Sequence, residues 1–350
     1  MTEDRQAALQ SFLQYAGWEN AAVRPLAGDA SNRRYLRLAK AGKIAVLMDA
    51  PPVTGEDCRP FIAMTEWLRA SGLSAPEVLA IDLDQGFLVL EDLGDNLFVR
   101  RLADTPTDET EIYSVAIRVL ARLADLPPPP SIGSDPDKVV LPPYNIAALM
   151  REAALLTEWW IPTATGEEVP EDLIAEYTAI VTNTMAPVSN AREVVVLRDY
   201  HAENLLWLPD RQDLRRVGLL DYQDALSGHP AYDLVSLLED ARRDTSAALR
   251  EAMIALYLDM RPDLNPEEFR LAYAILGAQR NMKIVGIFAR LAKRDGKAGY
   301  LNLIPRVWDH LQRDLAHQAL APLAAWLRDH VPVPDAANLA MAKINAGARL

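Results

Sequence analysis

The stretch from Val194 to Asp233 constrains this chain more than any other, because short apolar runs and blocks of polar residues alternate in it too regularly to be filler. Val194 to Leu197 is a β-branched apolar run, read as a buried strand, and Asp199, His201, Glu203 and Asn204 fall in the six residues after Arg198. Leu205 to Leu208 and Val217 to Leu220 then flank Pro209-Asp210-Arg211-Gln212-Asp213, whose Pro-Asp opening signals a turn. The two runs therefore read as an antiparallel hairpin, which sets the start of one strand beside the end of the other and so places Asn204 next to Asp221.

This arrangement suits phosphoryl transfer from a magnesium nucleotide. Magnesium takes hard oxygen ligands, one or two of them carboxylates or amides, and Asn204 with Asp221 supplies such a pair. Asp199, five residues before Asn204, is then free to face an attacking hydroxyl as the base that orients it and accepts its proton. A D-x-x-x-x-N spacing followed by a strand-flanked Asp is the protein-kinase arrangement in outline. Each of these residues taken singly could simply cap a turn; as a set, each behind an apolar strand, they point to chemistry.

The rest of the chain bounds that reading. Its 350 residues, half of them hydrophobic, suffice for one large two-lobed domain or two ordinary ones. With one cysteine, Cys58, no basic-then-apolar leader and no apolar run long enough to span a bilayer, a cytoplasmic protein is expected, and the thiol is read as inert. A net charge of -13 argues against nonspecific binding to nucleic acid or anionic membranes. No internal repeat occurs, and no obligate protein partner is evident.

In chain order, Glu3 to Trp18 has a helical apolar stripe, and Ala22 to Leu26, Arg34 to Leu38 and Ile44 to Met48 read as strands. Between the first two strands, Ala27-Gly28-Asp29-Ala30-Ser31-Asn32 is a small-residue loop through which backbone N–H groups could approach phosphates, with Ser31 and Asn32 as added donors and Arg33 and Arg34 following at once. Its single glycine suits a plain hairpin turn equally. Gly55 to Ser71 is helical by pattern and contains Glu66; Val78 to Ile81 and Phe87 to Leu90 are two further strands, after which Glu91 to Asp95 reads as a polar connector. Helices are expected over Thr110 to Leu126, Tyr144 to Trp160, Pro170 to Met185, Ala231 to Arg242 and Ala247 to Met260, with another entered through an Asn265-Pro266-Glu267-Glu268 cap and two or three more to the end.

A small antiparallel sheet with one helix, then a helical lobe carrying the Asp-Asn loop and the Asp hairpin, resembles the α+β protein-kinase-like fold of the aminoglycoside phosphotransferase and choline kinase superfamily. The division expected is residues 1–92 as the N-terminal lobe and 93–350 as the C-terminal lobe with catalytic loop and substrate pocket. The family loop reads His-Gly-Asp-x-His-x-x-Asn; here Leu197 and Arg198 replace the His-Gly, while Asp199, His201 and Asn204 are kept. The resemblance implies that Asp221 binds metal, that Asp233 braces the catalytic loop through backbone N–H groups, and that backbone around Leu90, Glu91 and Leu93 meets adenine. Met48 stands where the family's third-strand lysine should fall, which leaves Glu66 without its expected partner. Either Arg33 or Arg34 supplies the missing charge, or the chain is a pseudokinase.

Four strings narrow the resemblance: Leu47 to Pro52, Leu220 to Ala225, Tyr232 to Arg243, and Gln279-Arg280-Asn281-Met282-Lys283-Ile284-Val285-Gly286-Ile287-Phe288-Ala289-Arg290. They look like the bacterial anomeric kinases of N-acetylmuramate and N-acetylglucosamine. By that likeness Met48 is a family habit, and ATP with Mg2+ phosphorylates the sugar's anomeric hydroxyl during peptidoglycan recycling, on a route to a UDP-sugar. Muramate carries a lactyl carboxylate, for which Arg243, Arg280, Lys283 and Arg290 are candidates; Asp199, His201 and Glu152 are candidates for contacts to the sugar, and Trp159-Trp160 could stack on its ring or pack in the core. Two alternatives stand beside this one. One is a kinase of the same superfamily acting on an aminoglycoside, amino alcohol or ketosamine; the other is a hydrolase with metal on Asp199, His201, Asp221 and His229.

Overall fold

The computed structural model describes residues 3–26, 33–133 and 137–347. In chain order these form α1 (Glu3–Tyr15), β1 (Ala22–Pro25), β2 (Arg34–Lys40), β3 (Lys43–Asp49), α2 (Arg59–Ala70), β4 (Val78–Asp82), β5 (Phe87–Glu91), α3 (Phe98–Asp104), α4 (Glu109–Ala124), β6 (Ser131–Ile132), β7 (Val139–Val140), α5 (Ile146–Ala153), α6 (Ile161–Thr165), α7 (Glu171–Met185), β8 (Val194–Val196), β9 (Leu205–Trp207), β10 (Val217–Leu219), β11 (Leu226–Gly228), α8 (Ala231–Leu238), α9 (Ala247–Met260), α10 (Pro266–Asp295), α11 (Ile304–Leu315), α12 (Ala321–His330) and α13 (Ala336–Asn345). No helix among the described residues is long and apolar enough to cross a membrane.

The chain divides into two compact units that interleave in sequence: residues 1–115, 129–141 and 203–225 form the first, and residues 116–128, 142–202 and 226–350 the second. This partition differs from a single cut after residue 92. The β9–β10 hairpin belongs with the N-terminal sheet because Ser74 bridges to Gly218 and accepts a hydrogen bond from the Leu219 N–H at 2.8 Å.

In the first unit, five strands pair antiparallel in the order β1-β2-β3-β5-β4. Alternation along the strands sends Leu38, Ala45, Leu47, Phe87 and Val89 into one cluster with Leu9, Phe12 and Leu13 of α1. Asp49 is fully buried at the end of β3, where Arg5 reaches it at 2.6 Å and Arg34 binds its other oxygen. Burial of a charge is tolerated here because two guanidiniums match it. The expected helix over Gly55 to Ser71 starts later, at Arg59: Pro52–Thr54 makes one tight turn that closes on Gly55, whose φ of 84° ends it. Helix α3 was not expected; its seven residues are too few to show a period.

In the second unit, β8 pairs with β11, so the strand before Asp199 is tied to the strand before Asp233, a pairing that no local pattern announces. Helix α10 runs for 30 residues from its Asn265 cap, which accepts from the Glu267 and Glu268 N–H groups. The helix expected over Tyr144 to Trp160 is broken instead: Asn145 caps α5, and a wider turn covers Leu156–Trp160. Gly286 of α10 lies so near that a Cβ there would sit 2.3 Å from the Leu155 carbonyl. Trp160 of the Trp pair is fully buried, with its indole N–H on the Pro332 carbonyl at 2.9 Å, a packing role.

Candidate active site

The loop after β8 is built from its backbone outward. Leu197 and Arg198 donate their N–H groups to the two oxygens of Asp233, at 2.6 and 2.8 Å, and Ser236 donates its hydroxyl to the Arg198 carbonyl at 3.1 Å. Asp199 then donates its N–H back to the Leu197 carbonyl at 2.9 Å, which closes a three-residue turn on Arg198 with φ of 71°. A γ-turn with positive φ is rare and strained for a residue with a Cβ. Further along, the His201 N–H returns to the Asp199 carbonyl at 3.1 Å, and Asp240 accepts from the Ala202 N–H at 3.2 Å. Burial pushes the Asp233 carboxyl up to about 7, against the pull of its two N–H donors. Burial also lowers His201, with Asp240 and Asp199 opposing, so its imidazole is neutral at pH 7.

Beneath this loop lies a buried charge cluster. Glu152 accepts on one oxygen from Arg198 and from the Lys283 ammonium at 3.3 Å, and on the other from the Tyr144 hydroxyl and from Gln279 Nε2 at 3.1 Å. Burial alone would raise its carboxyl, but Lys283 and Arg198 outweigh that and bring it to about 2. Lys283 is lowered by burial and raised by Tyr232 and Glu152, with a net rise. Arg280 is buried and donates to the Ser236 hydroxyl at 2.8 Å, and among the described residues its Nη1 has no partner. Arg243 is half-buried and donates to the Asp244 carbonyl at 3.2 Å; Arg290 is also half-buried.

The hairpin in the first unit carries the other pair. Leu205 faces Leu219, and Leu220 donates to the Asn204 carbonyl at 3.0 Å, so Asn204 and Asp221 are neighbours as the strand reading required. Asn204 Nδ2 lies 3.4 Å from one Asp221 oxygen, and Gln223 Nε2 lies 2.8 Å from the other. Next to them Tyr222 stacks on Phe61 of α2 and shares a 2.6 Å hydrogen bond with Thr65, which anchors the end of the hairpin. The chain passes from the second unit to the first between Ala202 and Glu203, so Asp199 and Asn204 lie in different units.

Of the residues expected around a nucleotide, Gly28, Ser31 and Asn32 lie outside the described residues. Arg33 pairs with Glu56 at 2.7 Å, and Arg34 with buried Asp49. Met48 is fully buried in β3, opposite Tyr35 and Leu88, and Glu66 is exposed on α2. Leu90 is buried and paired with Val46, Glu91 binds Arg211, and Leu93 packs on Gly218. Arg37, which the sequence did not single out, holds both Asp92 and Asp95 with forked contacts of 2.5 to 3.1 Å and so fixes the connector after β5 to β2. Three acids within Glu91–Asp95, opposite an arginine on a strand, were the available signal. Cys58 is buried, and burial lifts its thiol to about 11. His229 accepts the Ala231 N–H through Nδ1 just before α8, and among the described residues no three His, Cys, Asp or Glu side chains gather as a metal-ligand group.

The chain belongs to the phosphotransferase enzyme family, whose model matches residues 22–271. The chain is 39% identical to the N-acetylmuramate/N-acetylglucosamine kinase of Caulobacter vibrioides, across 95% of this chain and 98% of that protein. It is 33% identical to the protein of the same name from Pseudomonas aeruginosa, across 89% and 90%. Among solved structures, an ADP-bound aminoglycoside phosphotransferase shares the protein-kinase-like fold with a TM-score of 0.58 at 13% identity, across 89% of this chain and 97% of that one.

Proposed function

We propose that this protein is an ATP-dependent kinase that phosphorylates the anomeric hydroxyl of N-acetylmuramate or N-acetylglucosamine in the cytoplasm. The observation that carries the reading is similarity to kinases of that name along nearly the whole chain, 39% in the first case. Asp199 orients the hydroxyl and accepts its proton as the oxygen attacks phosphorus. Asn204 and Asp221 offer an amide and a carboxylate on adjacent strand ends, a hard donor set that fits magnesium. When bound, magnesium offsets negative charge on the terminal phosphates.

The positive groups sort by their surroundings. Lys283 is matched to Glu152, and Arg280 supports Ser236 behind the loop. Glu152 already accepts three hydrogen bonds and is paired with Lys283, so a sugar hydroxyl would have to displace one of these partners. Half-exposed Arg243 is the better placed to meet a lactyl carboxylate. For the nucleotide, the connector Glu91 to Leu93, held to β2 through Arg37 and Asp92, offers backbone to adenine, and Arg33 or Arg34 is the source of the charge that Met48 lacks.

The test is incubation with ATP, Mg2+ and each sugar, with the Asp199→Ala variant as control and phosphorus NMR to locate the phosphate. Phosphate on the anomeric oxygen, absent with the variant, supports the reading; ATP binding without transfer to either sugar overturns the substrate assignment. Arg243→Ala should lower kcat/KM for N-acetylmuramate relative to N-acetylglucosamine by about tenfold, the value of one charge-assisted hydrogen bond.

A further inference from the structure

The residue before Asp199 has a conformation unsuited to its type. Arg198 has φ of 71° and is the centre of a turn closed by the Asp199 N–H on the Leu197 carbonyl. A residue with a Cβ leaves that region unless its surroundings over-determine it. Here they do so at three points. Asp233 holds the Leu197 and Arg198 N–H groups, Ser236 holds the Arg198 carbonyl, and the guanidinium is gripped by Glu152 on α5. The grip is itself fixed, because Glu152 is held on its remaining positions by Tyr144, Gln279 and Lys283. Lys283 in turn lies 3.3 Å from the Tyr232 hydroxyl, next to Asp233 in sequence. Backbone and side chain of Arg198 are therefore fastened to the same layer of α5, α8 and α10.

We infer that Arg198 is a positioning residue: its ion pair with Glu152 holds the strained turn that aims the Asp199 carboxylate, and the side chain acts on the reaction only through that turn. This rests on the reading of Asp199 as the base. The group that meets its Nη2 is the carboxylate of Glu152.

Two kinds of variant separate this role from a direct contact. Arg198→Ala removes the grip but keeps a Cβ, so the turn relaxes; kcat should fall about 100-fold, the scale on which a small misplacement of a reacting group acts, with KM for ATP unchanged. Arg198→Gly removes the same charge but adopts positive φ freely, and should recover most of the loss. Glu152→Gln keeps the shape and releases the guanidinium, and should resemble Arg198→Ala. Hydrogen exchange is read in parallel: peptides spanning residues 196–202 should exchange faster in Arg198→Ala and Glu152→Gln, while those of α12 stay unchanged. Equal loss in the Ala and Gly variants would mean that the charge itself meets substrate and would overturn the proposal, as would unchanged exchange in the loop. Because exchange needs no substrate, a wild-type protein that phosphorylates neither sugar would sink the functional reading while the loop result still decides this one.

Discussion

Two turns carry the carboxylates at the centre of the proposed reaction, and each sits on a non-glycine residue with positive φ: Arg198, at 71°, before Asp199, and Asp221 itself, at 57°. They are held by different means. The first is clamped by charge, through Asp233 behind its backbone and Glu152 on its side chain. The second is held by strand pairing and neutral amides: the Leu220 N–H on Asn204, and the Asn204 and Gln223 side chains on the carboxylate. Asp and Asn tolerate the left-handed region far better than Arg does, so the second turn needs less bracing. The comparison suggests a division of labour. A base must meet one proton along one line, whereas a cation ligand has to leave a hydrogen bond and adjust when a metal arrives.

The largest test of that contrast is removal of each carboxylate. Asp199→Ala should lower kcat by about 10²- to 10⁴-fold at every magnesium concentration. Asp221→Ala should lose comparable activity but regain part of it as magnesium is raised; a loss indifferent to magnesium would place Asp221 outside metal binding. Next comes the clamp. Asp233→Ala leaves one buried and one partly buried N–H group without their acceptor and should destabilise the protein by about 3 kcal/mol, seen in urea or thermal melts.

The clamp also predicts a pH response, and stability and activity should run in opposite directions. Asp233 titrates near 7 in the folded protein, above its unfolded value of about 3.9. Unfolding therefore releases a proton between these values, and the stability this group confers at low pH is lost as pH rises from about 4 through 7, by at most about 1.4 kcal/mol per unit. Glu152 has the other sign: its pKa is lowered to about 2, so its contribution is present above about 4.3 and is lost as pH falls toward 2. The ionised form of Asp233 is the better acceptor for the loop N–H groups, so kcat should climb through pH 7. Melting temperatures of wild type and Asp233→Asn across pH 5 to 8 isolate the effect; parallel curves would remove Asp233 as its source. The smallest expected effect belongs to the neutral turn. Gln223→Ala should raise the magnesium needed for half-maximal rate by about threefold, one modest hydrogen bond, without changing the limiting kcat.

Much of this site is legible in the sequence because it rests on local signals. The Pro-Asp turn between apolar runs fixed the hairpin register, and register alone put Asn204 beside Asp221. Asn265 heads its helix in the structure as well. What the sequence concealed was set by tertiary contact. No property of an arginine announces positive φ, so the strain at Arg198 could not be read from its name. Arg34 and Arg37 are alike in sequence, yet strand alternation and the partners across the sheet send one to buried Asp49 and the other to Asp92 and Asp95. Glu152 looked like a polar residue on a helix; only the convergence of α5, α10 and the loop reveals that its oxygens are already engaged.

Gly286 carries a consequence for all of these contacts. Where it passes Leu155, there is no room for even one more carbon: a Cβ would stand 2.3 Å from the carbonyl. A long helix such as α10 can slide or roll against its neighbours by small steps as long as side chains cushion the contact. At Gly286 backbone meets backbone, and the cushion is gone. The point works as a stop, a datum from which the heights of Gln279, Arg280 and Lys283 along the helix are measured. An alanine there would shift that whole ruler, and the guanidinium of Arg198 would feel the change through a glutamate that neither residue resembles.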